Sequence, residues 1–192
     1  YVSFEIAPTA EDMAKAEEQI METDKAVAAA NGNSDAIKQA VRAIGGKVDT
    51  YKLYSSIDGK VQEAIKAGKN YGPVLEGETW KASYLVSDVT APATFEFEVA
   101  TVSNIIEANE LVETLKANGG DFTKLETAVD VANETREMVK MNESDAKNFI
   151  GKKVGDIFAY TYNHKPAVVK ITKLGDSDRF VLVANIEKSV KA

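Results

Sequence analysis

The 192-residue chain has no cysteine, a single histidine, a single tryptophan and four prolines. Without thiols there can be no disulfide, no thiolate metal site and no cysteine nucleophile, and the absence fits an oxidising or a reducing compartment equally well. With His164 as the lone imidazole, only carboxylates remain as a metal-ligand set, and no histidine pair can form. No cofactor is expected. No apolar run approaches the roughly 18 residues of a membrane span, and any leader or anchor is expected to lie outside this sequence. The patterns GxSxG, HExxH, GxxxxGK[ST] and GxGxxG and the EF-hand loop are absent, which removes the common hydrolase, zinc, nucleotide and calcium readings. Positive charge is scarce and scattered: 23 basic against 30 acidic residues leave a net charge of -7 without a phosphate-binding footprint. Nucleic acid is therefore not an expected partner.

What is present is an ordinary globular balance, 44% hydrophobic and 28% charged, so the chain should fold. Its length suits one medium domain or two of about 90 to 100 residues. An internal echo favours two. The helix-like Val61–Ala67 runs into Gly68-Lys69-Asn70-Tyr71-Gly72-Pro73-Val74 and then the strand-like Trp80–Val86. Asp145–Val154 leads in the same order to Gly155-Asp156-Ile157-Phe158-Ala159-Tyr160 and then Pro166–Ile171.

Tyr1–Ala7 alternates as a half-buried strand, and Thr9 with Asp12 caps a long amphipathic helix through Met13, Ala16, Ile20 and Val27 to Asn31-Gly32. Its acidic face (Glu11, Asp12, Glu17, Glu18, Glu22) reads more simply as solvated surface than as an ion site. Ser34 caps a second helix (Ile37, Val41, Ile44) closed by Gly45-Gly46; Val48–Tyr54 reads as a strand, Asp58–Ala67 as a helix and Trp80–Val86 as a strand. Pro92, in the aperiodic Thr90–Thr94, marks a boundary. Phe95–Val99 restarts the alternation, Ser103 caps a helix to Gly119-Gly120, and Asp121 opens another through Phe122, Leu125 and Val129. Arg136–Met141 reads as a weak strand and Ser144 caps a short helix. Ile157–Tyr162 and Ala167–Thr172 form a hairpin turning at Asn163-His164, and Phe180–Ile186 is a last strand that either pairs with Val168–Thr172 or leads elsewhere. The expected division is 1-90, 91-175 and an outgoing strand in 176-192. Opening in mid-pattern without a Met, the chain is expected to be an excised or processed piece of something longer.

Ala108–Leu125, with Gly119-Gly120-Asp121-Phe122-Thr123-Lys124-Leu125, resembles the first helix and the "GxDFxxLA" entry of the parvulin-type peptidyl-prolyl isomerases. Ala64–Val74 resembles that family's "A-x-L-K-x-G-E-V-S-G-P-V" stretch, and Gly45-Gly46 stands where the family has "GGDLG". The resemblance implies an α+β fold of two tandem parvulin-like units, each a small antiparallel sheet wrapped by helices. Tandem divergent units of this kind are similar to those of large periplasmic folding factors, and the resemblance implies a location in the cell envelope, as part of a parent chain that can be membrane-anchored.

Rotating a prolyl bond needs no nucleophile, only an apolar pocket and preference for the twisted amide. The family orders its site with one histidine on the first strand and one on the last. Here those positions fall on Phe4 or Glu5 and about Lys81 in one unit, and on Phe97 or Glu98 and about Ala167 in the other. His164 lies in the hairpin turn, so no catalytic residue is assigned. The expected function is a parvulin-like module that binds extended, unfolded or proline-containing polypeptide without efficient catalysis. An isomerase with a rearranged site and a purely structural docking module are the alternatives. The remainder of a longer parent chain is the other expected partner, and no direct membrane insertion by this segment is expected. Candidate peptide-binding residues are Tyr51, Tyr54, Tyr71 and Trp80 in the first unit and Met138, Met141, Phe158 and Tyr160 in the second, against the plainer reading that most are core.

Overall fold

The computed structural model describes residues 7–191, so the strand expected at Tyr1–Ala7 lies almost wholly outside the described residues. By internal contacts the chain divides into unit 1, Tyr1–Val89 with Arg179–Ala192, and unit 2, Thr90–Asp178. The class is α+β, with five α-helices among the described residues and two sheets whose strand pairings are antiparallel. No helix among the described residues is long and apolar enough to cross a membrane.

Unit 1 begins with α1 (Ala10–Ala29). The Thr9 hydroxyl accepts from Asp12 N at 3.1 Å while Asp12 accepts from Thr9 N at 3.0 Å, a capping box that satisfies two end donors. Then follow α2 (Ser34–Ala43), β1 (Lys47–Val48), β2 (Lys52–Leu53), a 3-10 turn at Tyr54–Ser56, α3 (Gly59–Lys66), β3 (Tyr71–Glu76) and β4 (Thr79–Pro92). The sheet order is β1-β9-β4-β3, with β2 also on β9, the strand Ser177–Ser189 at the chain's far end. Ile20 and Val27 of α1 and Ile37 and Val41 of α2 pack on Ala82, Tyr84, Ala184 and Ile186. One sheet face is thereby closed by helices, and burial of these side chains is the main force holding the unit together.

In unit 2, β5 (Thr94–Thr101) is followed by α4 (Ile105–Ala117), a 3-10 turn at Phe122–Lys124, β6 (Ala132–Glu137), α5 (Glu143–Phe149), β7 (Ile157–Tyr162) and β8 (Lys165–Leu174). The sheet order is β6-β5-β8-β7. Ala108, Val112 and Leu115 of α4 cover Ala100 and Val168, while Phe95, Phe97 and Val99, the expected alternation, are buried on the opposite face. The β7–β8 hairpin turns on Asn163 and His164, both with positive φ (48° and 64°), the twist a two-residue hairpin favours.

Several expectations change. The Phe180–Ile186 strand does not pair with Val168–Thr172: β9 pairs with β1, β2 and β4, and Phe180, Leu182, Ala184 and Ile186 on it are buried. Without it the sheet of unit 1 would lose an inner strand. Thr90–Thr94 is extended apart from Ala93, with Pro92 tolerated as the last residue of β4. The helix expected from Asp121 is a single 3-10 turn, ended by Leu125 in extended conformation, so Leu125 and Val129 reach the α4 core from irregular chain. The strand expected at Val48–Tyr54 is two short pieces, and Arg136–Met141 is the end of β6 plus a 3-10 turn. Where serines were expected to cap helices, asparagines do so. Asn33, Asn104 and Asn142 each accept from a backbone N–H three residues on at 2.9 Å.

Candidate functional site

Among the described residues the second face of the unit 1 sheet is left uncovered, and the local sequence shapes it. Asp58 accepts from Lys60 N at 2.8 Å and so starts α3 directly after the Tyr54–Ser56 turn. Gln62 Nε2 donates to Ile57 O at 2.9 Å and Tyr54 Oη donates to Gln62 O at 3.2 Å, which ties that turn to the helix as a wall beside the sheet. On the other side the β3–β4 pairing slips between Tyr71 and Val74, where Gly72 has φ 73° and its α-carbon faces the backbone carbonyl of Lys81 with no room for a side chain. Between these walls lies a cleft of about 440 Å³. Val181, Val183, Ser83 and Asn185 line its sheet side, Ile57 and Val61 the helix side, and Tyr71, Glu76 and Lys81 the edge-strand side.

Polar order in the cleft centres on Glu76. The Tyr71 hydroxyl donates a short hydrogen bond to its carboxylate, and the Lys60 and Lys81 ammonium groups each lie 3.2 Å from its oxygens. These donors, Tyr71 first, hold the Glu76 carboxyl at about 2, well below its ordinary 4.5. The same contact raises the Tyr71 phenol and both lysines above their ordinary values. On the sheet side, Ser83 Oγ donates to Asn185 Oδ1 at 2.6 Å. At neutral pH, Glu76 is thus a fully ionised anion held by three donors rather than a base poised to take a proton, and the Ser83 hydroxyl donates to an amide oxygen, which is no general base. The arrangement offers hydrogen-bonding groups and apolar walls, which suit binding better than bond-making.

No family model, no curated protein and no solved structure matches the chain.

In unit 2 the sheet face beside α5, the helix that precedes the β7–β8 hairpin, is filled. Phe149 of α5 is fully buried, with ring centroids 5.4 Å from Phe95 and Phe97, 5.7 Å from Phe158 and 5.2 Å from Tyr160. Arg136 donates to Asp145 at 2.9 Å and to the Tyr160 hydroxyl at 3.2 Å, and burial first of all raises the Tyr160 phenol above its ordinary value. The Lys152 ammonium stands 4.6 Å over the Phe158 ring.

Of the candidate peptide-binding residues, only Tyr71 lines the cleft. Tyr51 is buried and donates to Ser87 Oγ at 2.9 Å, while Tyr54 lies beneath the Arg179 guanidinium at 3.9 Å. Trp80 packs, half-buried, against the helix-covered core on the other face. Met138 and Met141 are fully buried and Tyr160 nearly so, leaving them no surface for a peptide; Phe158 is half-buried. Of the positions where the family has histidines, Lys81 lies in the cleft, Phe97 and Ala167 are core, Glu98 is half-buried on β5, and Phe4 and Glu5 fall outside the described residues. His164 is exposed in its turn. Sequence reading missed Ser83, Asn185, Lys60 and Glu76, which come from four separate elements. Only the Tyr71–Glu76 spacing within one apolar stretch before a turn hinted that the two share a strand. Among the described residues no group of three or more His, Asp or Glu side chains is placed to hold a metal ion.

Proposed function

We propose that the chain is a parvulin-like polypeptide-binding module of a periplasmic folding chaperone, in which the unit 1 cleft holds an extended, unfolded or proline-containing segment without efficient isomerisation. The observation that carries this reading is the open cleft on the bare face of the unit 1 sheet. Its volume of about 440 Å³ lies in the range of ligand-binding clefts, and its mix of valine, isoleucine and tyrosine with a few fixed polar groups suits an apolar side chain and its flanking peptide bonds.

The two-unit reading draws support from a shared strand order. In each sheet the strand before the short helix lies beside an inner strand, then the last hairpin strand, then its partner. The two units differ in use. The filled face of unit 2, with Phe149 among four rings, supports a structural role for that unit. The paired-off state of Glu76, Lys60 and Lys81 and the absence of an imidazole in unit 1 support binding without catalysis.

Two measurements on the 192-residue chain test this. A fluorescently labelled unfolded or proline-containing peptide should bind with micromolar affinity, and Val183→Glu, which puts a carboxylate against the apolar floor, should abolish that binding. NMR exchange spectroscopy of a short Xaa-Pro peptide should show little acceleration of cis-trans exchange. Absence of binding to any unfolded polypeptide at high protein concentration overturns the reading, and strong acceleration lost in Lys81→Ala favours the isomerase instead.

A further inference from the structure

The sequence holds the dipeptide Asn-Gly twice, at Asn31-Gly32 and Asn118-Gly119, and the fold treats the two copies differently. Asn-Gly is the sequence most prone to spontaneous deamidation, because no side chain shields the glycine nitrogen that attacks the asparagine carboxamide. The chemistry then depends on whether the carboxamide is free to swing onto that nitrogen.

Asn118 is held. Its Oδ1 accepts from Gly120 N at 3.1 Å and from Asp121 N at 3.0 Å, while its Nδ2 donates to Asp121 O at 3.0 Å. It is half-buried, and releasing its side chain dismantles the turn that closes α4. Asn31, by contrast, is exposed at the tip of the α1–α2 turn with φ 48°, followed by Gly32 at φ 79° in open space. Asn31 N donates to Ala28 O at 3.3 Å and Asn33 N to Ala30 O at 2.9 Å; among the described residues the Asn31 carboxamide makes no hydrogen bond, and Gly32 N donates to no backbone carbonyl.

The geometry points to Asn31 as a site of spontaneous covalent modification in the native protein, with Asn118 protected by its fold. The Gly32 backbone nitrogen gives its proton to solvent base and attacks Asn31 Cγ. A C–N bond forms, the Cγ–Nδ2 bond breaks, and ammonia leaves with a proton from water. One water molecule then opens the cyclic imide at either carbonyl, giving aspartate or isoaspartate. The net change is loss of ammonia and gain of water, one new negative charge on unit 1 and, in the isoaspartate product, a main chain longer by one methylene in the turn joining two helices whose Val27 and Ile37 share a core.

The test uses the intact chain incubated at mildly alkaline pH, sampled by peptide mapping with mass spectrometry and by enzymatic methylation of isoaspartate. In the folded protein, deamidation at Asn31 should exceed that at Asn118 by about tenfold or more, since the Asn118 side chain must first lose three hydrogen bonds. In concentrated denaturant the two sites should react at similar rates, which ties the difference to the fold and not to flanking sequence. Asn31→Gln should remove the early product while leaving the denatured-state rate at Asn118 unchanged. Equal rates in the folded protein, or faster reaction at Asn118, overturn the inference.

Discussion

Replacing Phe149 with alanine removes the side chain on which the filled face of unit 2 depends. The ring is fully buried and contacts Phe95, Phe97, Phe158 and Tyr160 at centroid distances of 5.2 to 5.7 Å. A buried Phe→Ala change costs about 3 to 5 kcal/mol through lost transfer energy and the cavity left behind, and that figure already includes the ring-ring contacts. Against a domain stability of roughly 5 to 15 kcal/mol, this is about a fifth of the total or more. With a urea slope of about 1 to 3 kcal/mol per molar, the unfolding midpoint of unit 2 should fall by roughly 1 to 5 M. The assay is a urea titration followed by resolved NMR signals from unit 2, for example Ala167 and Val169, because a two-unit chain does not guarantee one transition. Trp80 fluorescence reads unit 1 separately, as the chain has no other tryptophan. A loss below about 1 kcal/mol would refute the reasoning. It would mean that the ring cluster is loosely packed and the face open, so the contrast between the two units would fail.

Three further outcomes follow from the electrostatics and the caps. Glu76 has a folded-state value of about 2 against an ordinary 4.5, so it contributes stability that is present above about pH 4.5 and lost as the pH falls through 2; Glu76→Gln should flatten that acid limb in circular dichroism, and added salt should shrink the difference. Superimposable limbs for the two proteins would rule out the Tyr71–Lys60–Lys81 arrangement in solution. The Tyr84 phenol is raised above its ordinary value by burial and by its hydrogen bond to Asp24, so its stabilisation is complete below pH 10 and is lost as the pH rises through the folded value. Tyr84→Phe should cost about 1 to 3 kcal/mol at neutral pH, read by urea unfolding at Trp80, and that cost should shrink at alkaline pH. Thr9→Ala removes one half of the capping box and should lower the stability of unit 1 by about 1 kcal/mol, with amide exchange accelerating first at Asp12 and Met13.

What the sequence made legible was what local chemistry dictates. The stripe Ala16, Ile20 and Val27, the alternation Phe95, Phe97 and Val99, and the Asn163-His164 hairpin all stand where period and turn chemistry put them. Failures cluster where tertiary context decides. Phe180–Ile186 reads as a strand on its own, but nothing local says that its partners are Lys47–Val48 and Lys52–Leu53, more than a hundred residues away. Asp121 carries a helix-start signal, yet its main chain, which donates to Asn118 Oδ1 and accepts from Asn118 Nδ2, and the extended Leu125 leave it as a single turn. For the candidate site, aromatic and methionine residues were natural guesses for an apolar groove. Met138, Met141 and Tyr51 went into cores instead, because such side chains gain most from full burial. Ser83, Asn185, Lys60 and Glu76 are unremarkable as letters and become a site only when β3, β4, β9 and α3 converge.

The proposed holding of polypeptide in the unit 1 cleft, with the α5 side of the unit 2 sheet closed, is read out by an amide-resolved NMR titration of the labelled chain with an unlabelled, extended, proline-containing peptide. Saturable shifts are expected at Ser83, Val183 and Asn185 and at Tyr71 on the cleft edge, with Phe149 and Tyr160 unmoved. Shifts confined to unit 2, or none at saturating peptide, would contradict it.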